Sequence, residues 1–372
     1  MLAKRFDTDV FVVGGGPAGL AAAIAARQKG FDVTVADAAR PPIDKACGEG
    51  LMPDSLCALA ELGVSLDGQP AGVFRGIRFI GPTESVDACF PDGAGLGIRR
   101  TLLHALLVER AEKLGVRFLW NTAFRGLQHS AIQFDGGSRR ARWIIGADGQ
   151  NSQLRKAAGL DASQVWNRRI GLRRHFAVAH WSEFVEIYWA GGAQAYITAV
   201  APREMCVAII SQKKLPSFDL GLAMFPRLAE RLEGVAATNF PRGAPTVSRR
   251  LKSVCRGNVA LVGDASGSID AITGEGLGMA FRQALALSAA LVCGDLSLYA
   301  QAHRRIAALP DFMARTMLLM DRSALLRRRA LSVLSRRPAL FEQLLSVHVG
   351  HAPLRYFGRG SISDVAWQLL TA

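Results

Sequence analysis

The stretch from Val10 to Asp37, VFVVGGGPAGLAAAIAARQKGFDVTVAD, decides the fold. Val10 to Val13 predict a strand that runs into Gly14-Gly15-Gly16-Pro17-Ala18-Gly19. A small-residue helix follows, and Asp32 to Ala36 predict a second strand that stops at Asp37. The spacing G-x-G-x-x-G at Gly14, Gly16 and Gly19 has a physical reason. The first glycine makes a tight turn, the second lets backbone N–H groups reach a pyrophosphate, and the third lets the helix pack close to the strand. The helix N-terminus turns its partial positive charge toward the phosphates, and an acid at the end of the second strand accepts from a ribose hydroxyl. The unit predicts an adenine dinucleotide but does not distinguish NAD from FAD.

The sequence of 372 residues is long enough for one large or two modest domains. Half is apolar and a fifth charged, ordinary for a folded enzyme. The excess of Lys and Arg, a formal charge of +14, suits anionic ligands or surfaces as well as a plain soluble basic exterior. No nucleic-acid reading module appears. Cys47, Cys57, Cys89, Cys206, Cys255 and Cys293 are scattered without a C-x-x-C pair, so neither a disulfide framework nor a metal site is expected, and a reducing cytoplasm is the simpler setting. The first strand begins within ten residues of Met1, which predicts no signal peptide. No apolar run is expected to reach the ~18 residues of a spanning helix.

Along the chain, Ala38 to Pro53 reads as a Pro- and Gly-rich loop and Asp54 to Leu62 as a short helix with Asp54 as its N-cap. Val73 to Phe90 suggests two strands meeting at Gly81-Pro82. Leu102, Leu103, Leu106, Leu107, Ala111 and Leu114 recur at helical steps. Val116 to Trp120, Ala123 to Leu127 and Ala131 to Phe134 read as short strands, and Arg142 to Gly146 as a buried one. Between Arg169 and Gln212 the period becomes two. Gly191-Gly192 there predicts a hairpin, and Phe176 to Ala179 reads as a strand flanked by His175 and His180. Asn258 to Val262 is another buried strand, ending at Gly263-Asp264. Gly274 to Leu291 and Tyr299 to Leu345 read as helical, the latter heavy in arginine.

Three motifs now stand in order: GGGPAG at Gly14 to Gly19, GADGQNSQLR at Gly146 to Arg155, and LVGDASGSIDAITGEGLGMAFRQA at Leu261 to Ala284. Together they resemble the p-hydroxybenzoate hydroxylase-type FAD-dependent oxidoreductases, a superfamily of monooxygenases, halogenases and geranylgeranyl reductases. The resemblance implies an α/β fold: a Rossmann-like FAD-binding domain from residues 1–72, 96–165 and 245–298, an inserted antiparallel β-sheet substrate domain from 73–95 and 166–244, and a C-terminal helical segment, 299–372. It implies FAD as cofactor, with NADH or NADPH as a transient reductant. Gly14, Gly16, Pro17, Ala18 and Gly19 would cradle the pyrophosphate and Asp37 the adenosine ribose. Arg100 would contact the phosphate and ribityl region, Phe124 the adenine, and Asp264 a ribityl hydroxyl. Gly276 and Leu277 would present N–H groups to the pyrimidine edge. The loop at Gly48 and the acid Asp148 would lie near the flavin.

The segments Lys45 to Gly50 and Thr273 to Leu277 look most like the geranylgeranyl reductase branch, and the halogenase G-x-W-x-W-x-I-P segment is missing. Two reactions follow from the resemblance: oxygenation of a lipophilic or aromatic metabolite with O2, or reduction of isoprenoid alkenes. A non-catalytic, membrane-associated redox sensor is the third reading. Cys47 reads either as a group touching the flavin or as a small residue in a tight turn. Glu49 and Glu275 are candidate proton carriers, though a solvated loop acid and a helix-start acid are the plainer expectations. His175 and His180 read first as surface or packed histidines. Arg304 to Arg337 interleave with Phe and Leu, which fits a solvated bundle or peripheral contact with an anionic membrane.

Overall fold

The structure, a computed structural model, describes residues 6–81, 84–128 and 131–353. Residues 1–5, Pro82 of the expected turn, and residues 354–372 of the expected helical segment lie outside the described residues. Strand Thr8–Val13 sits between Val33–Ala36 and Gly137–Gly146, parallel to both. Arg117–Leu119 extends the sheet beyond one neighbour and Val259–Leu261 beyond the other, again in parallel. Strands from distant parts of the chain therefore end on one side. There Gly14, Asp37, Ala147-Asp148 and Gly263-Asp264 gather beyond the carboxyl ends, where open α/β sheets bind ligands.

Helices Pro17–Gln28 and Gly276–Cys293 pack on this sheet through Leu20, Ile24, Phe281, Leu287 and Leu291. By length and composition alone Gly276–Cys293 could cross a bilayer, against the expectation that no run would reach that length. Its apolar side chains instead form the core beneath the first glycine turn. The helix expected from Asp54 spans Pro53–Glu61 with Met52 as N-cap, because proline is preorganised for the first helical position. Asp54 is instead drawn inward to Arg282, at 2.9 Å.

A second sheet has the spatial order Arg242–Leu251, Ser163–Phe176, Glu204–Ser211, Ala193–Ala201, Phe184–Ala190, Gly76–Ile80 and Ser85–Cys89. It is antiparallel except that Phe184–Ala190 runs parallel to Gly76–Ile80. The hairpin at Gly191-Gly192 forms as the sequence predicts. The strand expected over Phe176 to Ala179 does not: a long strand ends at Phe176, and the Ala177 N–H bonds to the Ala236 carbonyl instead. Arg242–Leu251 was not expected as a strand. It carries Pro245 and lies on the sheet edge, where proline is tolerated. Because it bonds along Ser163–Phe176, it belongs with this sheet rather than with a segment starting at residue 245.

Helices Leu296–Arg322, Ala324–Arg336 and Pro338–His348 cover the distal part of that sheet. Leu318, Leu331, Leu334 and Phe341 pack with Phe79, Ile187 and Trp189, and Phe341 stacks on Phe79 at 4.8 Å. The arginine-rich segment is thus no free bundle: one face is core.

Candidate active site

Between the glycine turns and the second sheet lies a cavity of about 670 Å³, within the range of small-molecule sites. Its loop wall contains Gly14, Gly16, Pro17, Ala18, Asp37, Gly48, Arg100, Phe124, Asp148, Asp264, Gly276 and Leu277, together with Cys47 and Glu49. Gly19 and Glu275 do not line it.

The three glycines of the first turn differ in duty. Gly14 has φ +109°, and a Cβ on Gly19 would stand 1.8 Å from the Gly14 carbonyl oxygen, so these two permit the turn and the close helix packing. A Cβ on Gly16 would meet nothing within 4 Å: that position opens onto the cavity. Asp37 is held at the strand end by the N–H groups of Gly15 (2.6 Å) and Ala39 (2.7 Å). Buried His104 bonds the Gly15 carbonyl through Nε2 at 2.8 Å, and burial lowers its pKa. A neutral ring donating to that carbonyl follows, bracing the turn from beneath.

Asp148 orders its own turn by accepting from the N–H groups of Gln153 and Leu154 at the start of helix Gln153–Ala157. Arg155, fully buried, ties this turn to the next motif: it donates to the carbonyls of Gln150 (2.9 Å) and Ala265 (3.2 Å) and to Asp161 (2.7 Å). Lys45 reaches across to Asp264 at 2.8 Å. The Arg100 Nε is buried without a hydrogen-bond partner.

The opposite wall is apolar, with Phe74, Ile77, Leu172, Val185, Ile187 and Ile210. Tyr196 also lines it and donates to the Ile272 carbonyl at 2.8 Å. Where the walls meet, Glu49 is buried rather than solvated, correcting the plainer expectation. Its φ of +60° strains a non-glycine residue, and its carboxylate makes two bonds that hold it. Oε1 accepts from the Arg100 N–H (2.9 Å), and Oε2 meets His175 Nε2 (2.5 Å). His175 Nδ1 faces Arg173 Nη1 (3.1 Å) and Asn239 Nδ2 (2.7 Å). Both neighbours are donors, so Nδ1 accepts and Nε2 carries the proton toward Glu49. Arg173 in turn binds Asp44 at 2.5 Å. Glu49, His175 and Cys206 offer ligand atoms within 4.8 Å of one another. Burial pushes the Cys206 thiol well up, however, and the facing atoms of Glu49 and His175 are already bonded to each other. The set reads as a hydrogen-bonded lock.

A second buried lock lies deeper. Arg169 binds Asp270 and Asp321, both at 3.0 Å, and Gln194 at 2.6 Å; Gln194 also donates to Asp321. Asp321 comes from helix Leu296–Arg322 and Asp270 from the cavity lining, so this lock joins the C-terminal helices to the flavin-motif loop. Glu275 heads helix Gly276–Cys293, buried beside Arg282 Nη2 (3.6 Å) and His348 Nδ1 (3.9 Å). Burial pushes its carboxyl up to about 8 and His348 down to about 4. Sequence reasoning did not single out His104, Arg169, Arg173 or Asp321 as partners, since nothing in their local spacing names a contact so far along the chain.

A family model described as FAD binding domain matches residues 7–214, more than half of the chain. Geranylgeranyl diphosphate reductase from Synechocystis sp. is 30% identical over 312 residues, covering 74% of this chain and 73% of that protein. The 2-heptyl-3-hydroxy-4(1H)-quinolone synthase of Pseudomonas aeruginosa is 26% identical over 309 residues, covering 75% and 79%. Among solved structures, a flavoprotein/dehydrogenase from Cytophaga hutchinsonii superposes with a TM-score of 0.81 at 18% identity, covering 98% of each chain. The last likeness is one of fold.

Proposed function

The chain belongs to the FAD binding domain family, and from that premise we propose an FAD-dependent oxidoreductase that takes electrons from NADH or NADPH and inserts one atom of O2 into a small lipophilic, ring-bearing substrate. The observation that carries the reading is a single cavity with a glycine-turn wall facing an apolar sheet wall.

Several features support FAD. The free space at Gly16 and the helix N-terminus behind it suit a pyrophosphate. The unpartnered Arg100 Nε is a donor in need of an acceptor. Asp37 and Asp264 are acceptors for sugar and ribityl hydroxyls, Phe124 is a face for adenine, and the start of helix Gly276–Cys293 offers N–H groups through Gly276 and Leu277. Bound there, FAD would supply the two-electron and oxygen chemistry. The chain's own part is to hold it, to exclude water with the apolar wall, and to keep the loop Lys45 to Gly50 in place through Glu49 and His175. In the balanced reaction the nicotinamide gives two electrons, one oxygen atom enters the substrate, and the other leaves as water.

Oxygenation draws support from the quinolone synthase, whose named product carries a ring hydroxyl and a heptyl chain. Reduction of an isoprenoid alkene is the second reading, favoured by the kinship to geranylgeranyl diphosphate reductase. The test is product mass from alkylated phenols, quinolones and prenyl compounds, with NADPH or NADH, in 18O2 and without oxygen. Incorporation of one 18O atom per nicotinamide oxidised supports oxygenation. A gain of two hydrogens without oxygen overturns it for the reductase, and a flavin that neither nicotinamide reduces overturns both.

A further inference from the structure

Helix Leu296–Arg322 is 27 residues long, about 40 Å. Its inner face is buried through Tyr299, Ala314, Leu318 and Asp321. Its outer face carries Leu298, Arg305 and Phe312 at steps of seven and then Arg315, Leu319 and Arg322 at steps of three or four; beyond the extended Ser323, helix Ala324–Arg336 exposes Leu325 and Arg328. Leu298, Phe312, Leu319 and Leu325 are 45%, 48%, 55% and 49% exposed, three of them on this one helix. Asp311, paired with Arg315 at 3.0 Å, is the acid beside the stripe.

We propose that this stripe seats the protein on an anionic lipid bilayer. Two properties of the stripe select that occupant. Arginines interleave with the apolar residues, while the acids of the same two helices are Asp311, paired with Arg315, and the buried Asp321. A bilayer surface takes both kinds at once: Phe312, Leu319 and Leu325 enter the acyl boundary while the guanidinium groups extend to the headgroup phosphates. The charge is one-sided, four exposed arginines along the stripe in a chain of net +14, which suits anionic headgroups. The inference rests on exposure and charge and holds whichever reaction the cavity performs.

The experiment is co-sedimentation of the full FAD-loaded chain with vesicles of phosphatidylcholine alone and of phosphatidylcholine mixed equally with phosphatidylglycerol. Binding to the mixed vesicles is expected to exceed that to phosphatidylcholine by about tenfold or more and to weaken with added salt. The double variant Phe312→Ser with Leu319→Ser and the double variant Arg315→Gln with Arg322→Gln should each lose about tenfold in binding while keeping flavin content and melting temperature, since these side chains are exposed. No binding to the mixed vesicles, or binding that neither variant changes, overturns the proposal. So does a concentration-dependent dimer that Phe312→Ser with Leu319→Ser abolishes in the absence of vesicle binding, which assigns the stripe to a second copy.

Discussion

The loop wall of the cavity is made by leaving side chains out, the sheet wall by fastening large ones together. At Gly14, Gly16 and Gly19 the backbone itself is the binding surface, and its requirements are local: a turn, an opening, a close approach. On the sheet side Arg169, Arg173 and His175 project from one strand, Ser163–Phe176, and each is secured by residues that lie far away in the chain. The first wall is therefore shaped by its backbone, whereas behind the apolar lining of the second these buried charges hold two sheets and the C-terminal helices in one arrangement.

The contrast can be broken most forcefully at Arg169. Arg169→Met leaves Asp270 and Asp321 buried without their cation, and a stability loss of about 3–5 kcal/mol is expected by denaturant melting. A loss below about 1 kcal/mol would mean that the sheet wall stands without its ion pairs. Gly16→Val probes the other wall. FAD affinity should fall about a hundredfold, close to 2.7 kcal/mol, with the apoprotein's melting temperature nearly unchanged, because the new side chain fills ligand space only. An equal loss of apoprotein stability would erase the distinction between ligand wall and structural wall.

Glu49 lies on the seam and should show both effects. Glu49→Gln weakens the bonds to His175 and to the Arg100 N–H, with an expected cost of about 1–2 kcal/mol in stability and a parallel weakening of flavin retention, measured by melting and by fluorescence of released FAD. A change in one without the other would place the residue on one wall.

The smallest effect is a slope with pH. Glu275 has a folded-state value raised by burial from an ordinary 4.5 to about 8. The folded protein therefore keeps a proton that the unfolded chain has released, and stability falls as pH rises through that window. Burial lowers His303 and His348 to about 4, so their contribution is present above about pH 6.5 and is lost on acidification. Between about pH 6.5 and 7.5 the Glu275 part, a fall of about 1 kcal/mol, runs against the tail of the histidine rise, and Glu275→Gln should remove that fall so that stability climbs with pH across the window. An unchanged slope would show that another group is responsible.

How much was legible follows the same division. The turn at Gly14 to Gly19, Asp37 after the second strand, the Asp148 turn and the Gly263-Asp264 turn were all readable, because each is written in neighbouring residues whose spacing follows from backbone geometry. The hairpin at Gly191-Gly192 was readable for the same reason. Glu49 was found as a candidate, but its burial was not, since a glycine-flanked acid looks solvated until His175 is brought over it. Arg242–Leu251 escaped because an edge strand with a proline and many polar residues has little alternation to read.

The sequence by itself determined that this chain builds a glycine-turn dinucleotide unit, continues into a two-residue-period sheet and ends in basic amphipathic helices, since hydrophobic period and turn chemistry act over a few residues. Only the tertiary structure decided which charges face one another across the cavity, which face of Leu296–Arg322 is left to solvent, and that Glu275 is shut away from water. Those outcomes depend on burial and on electrostatic pairing between residues far apart in the chain, and neither quantity exists until the chain has folded.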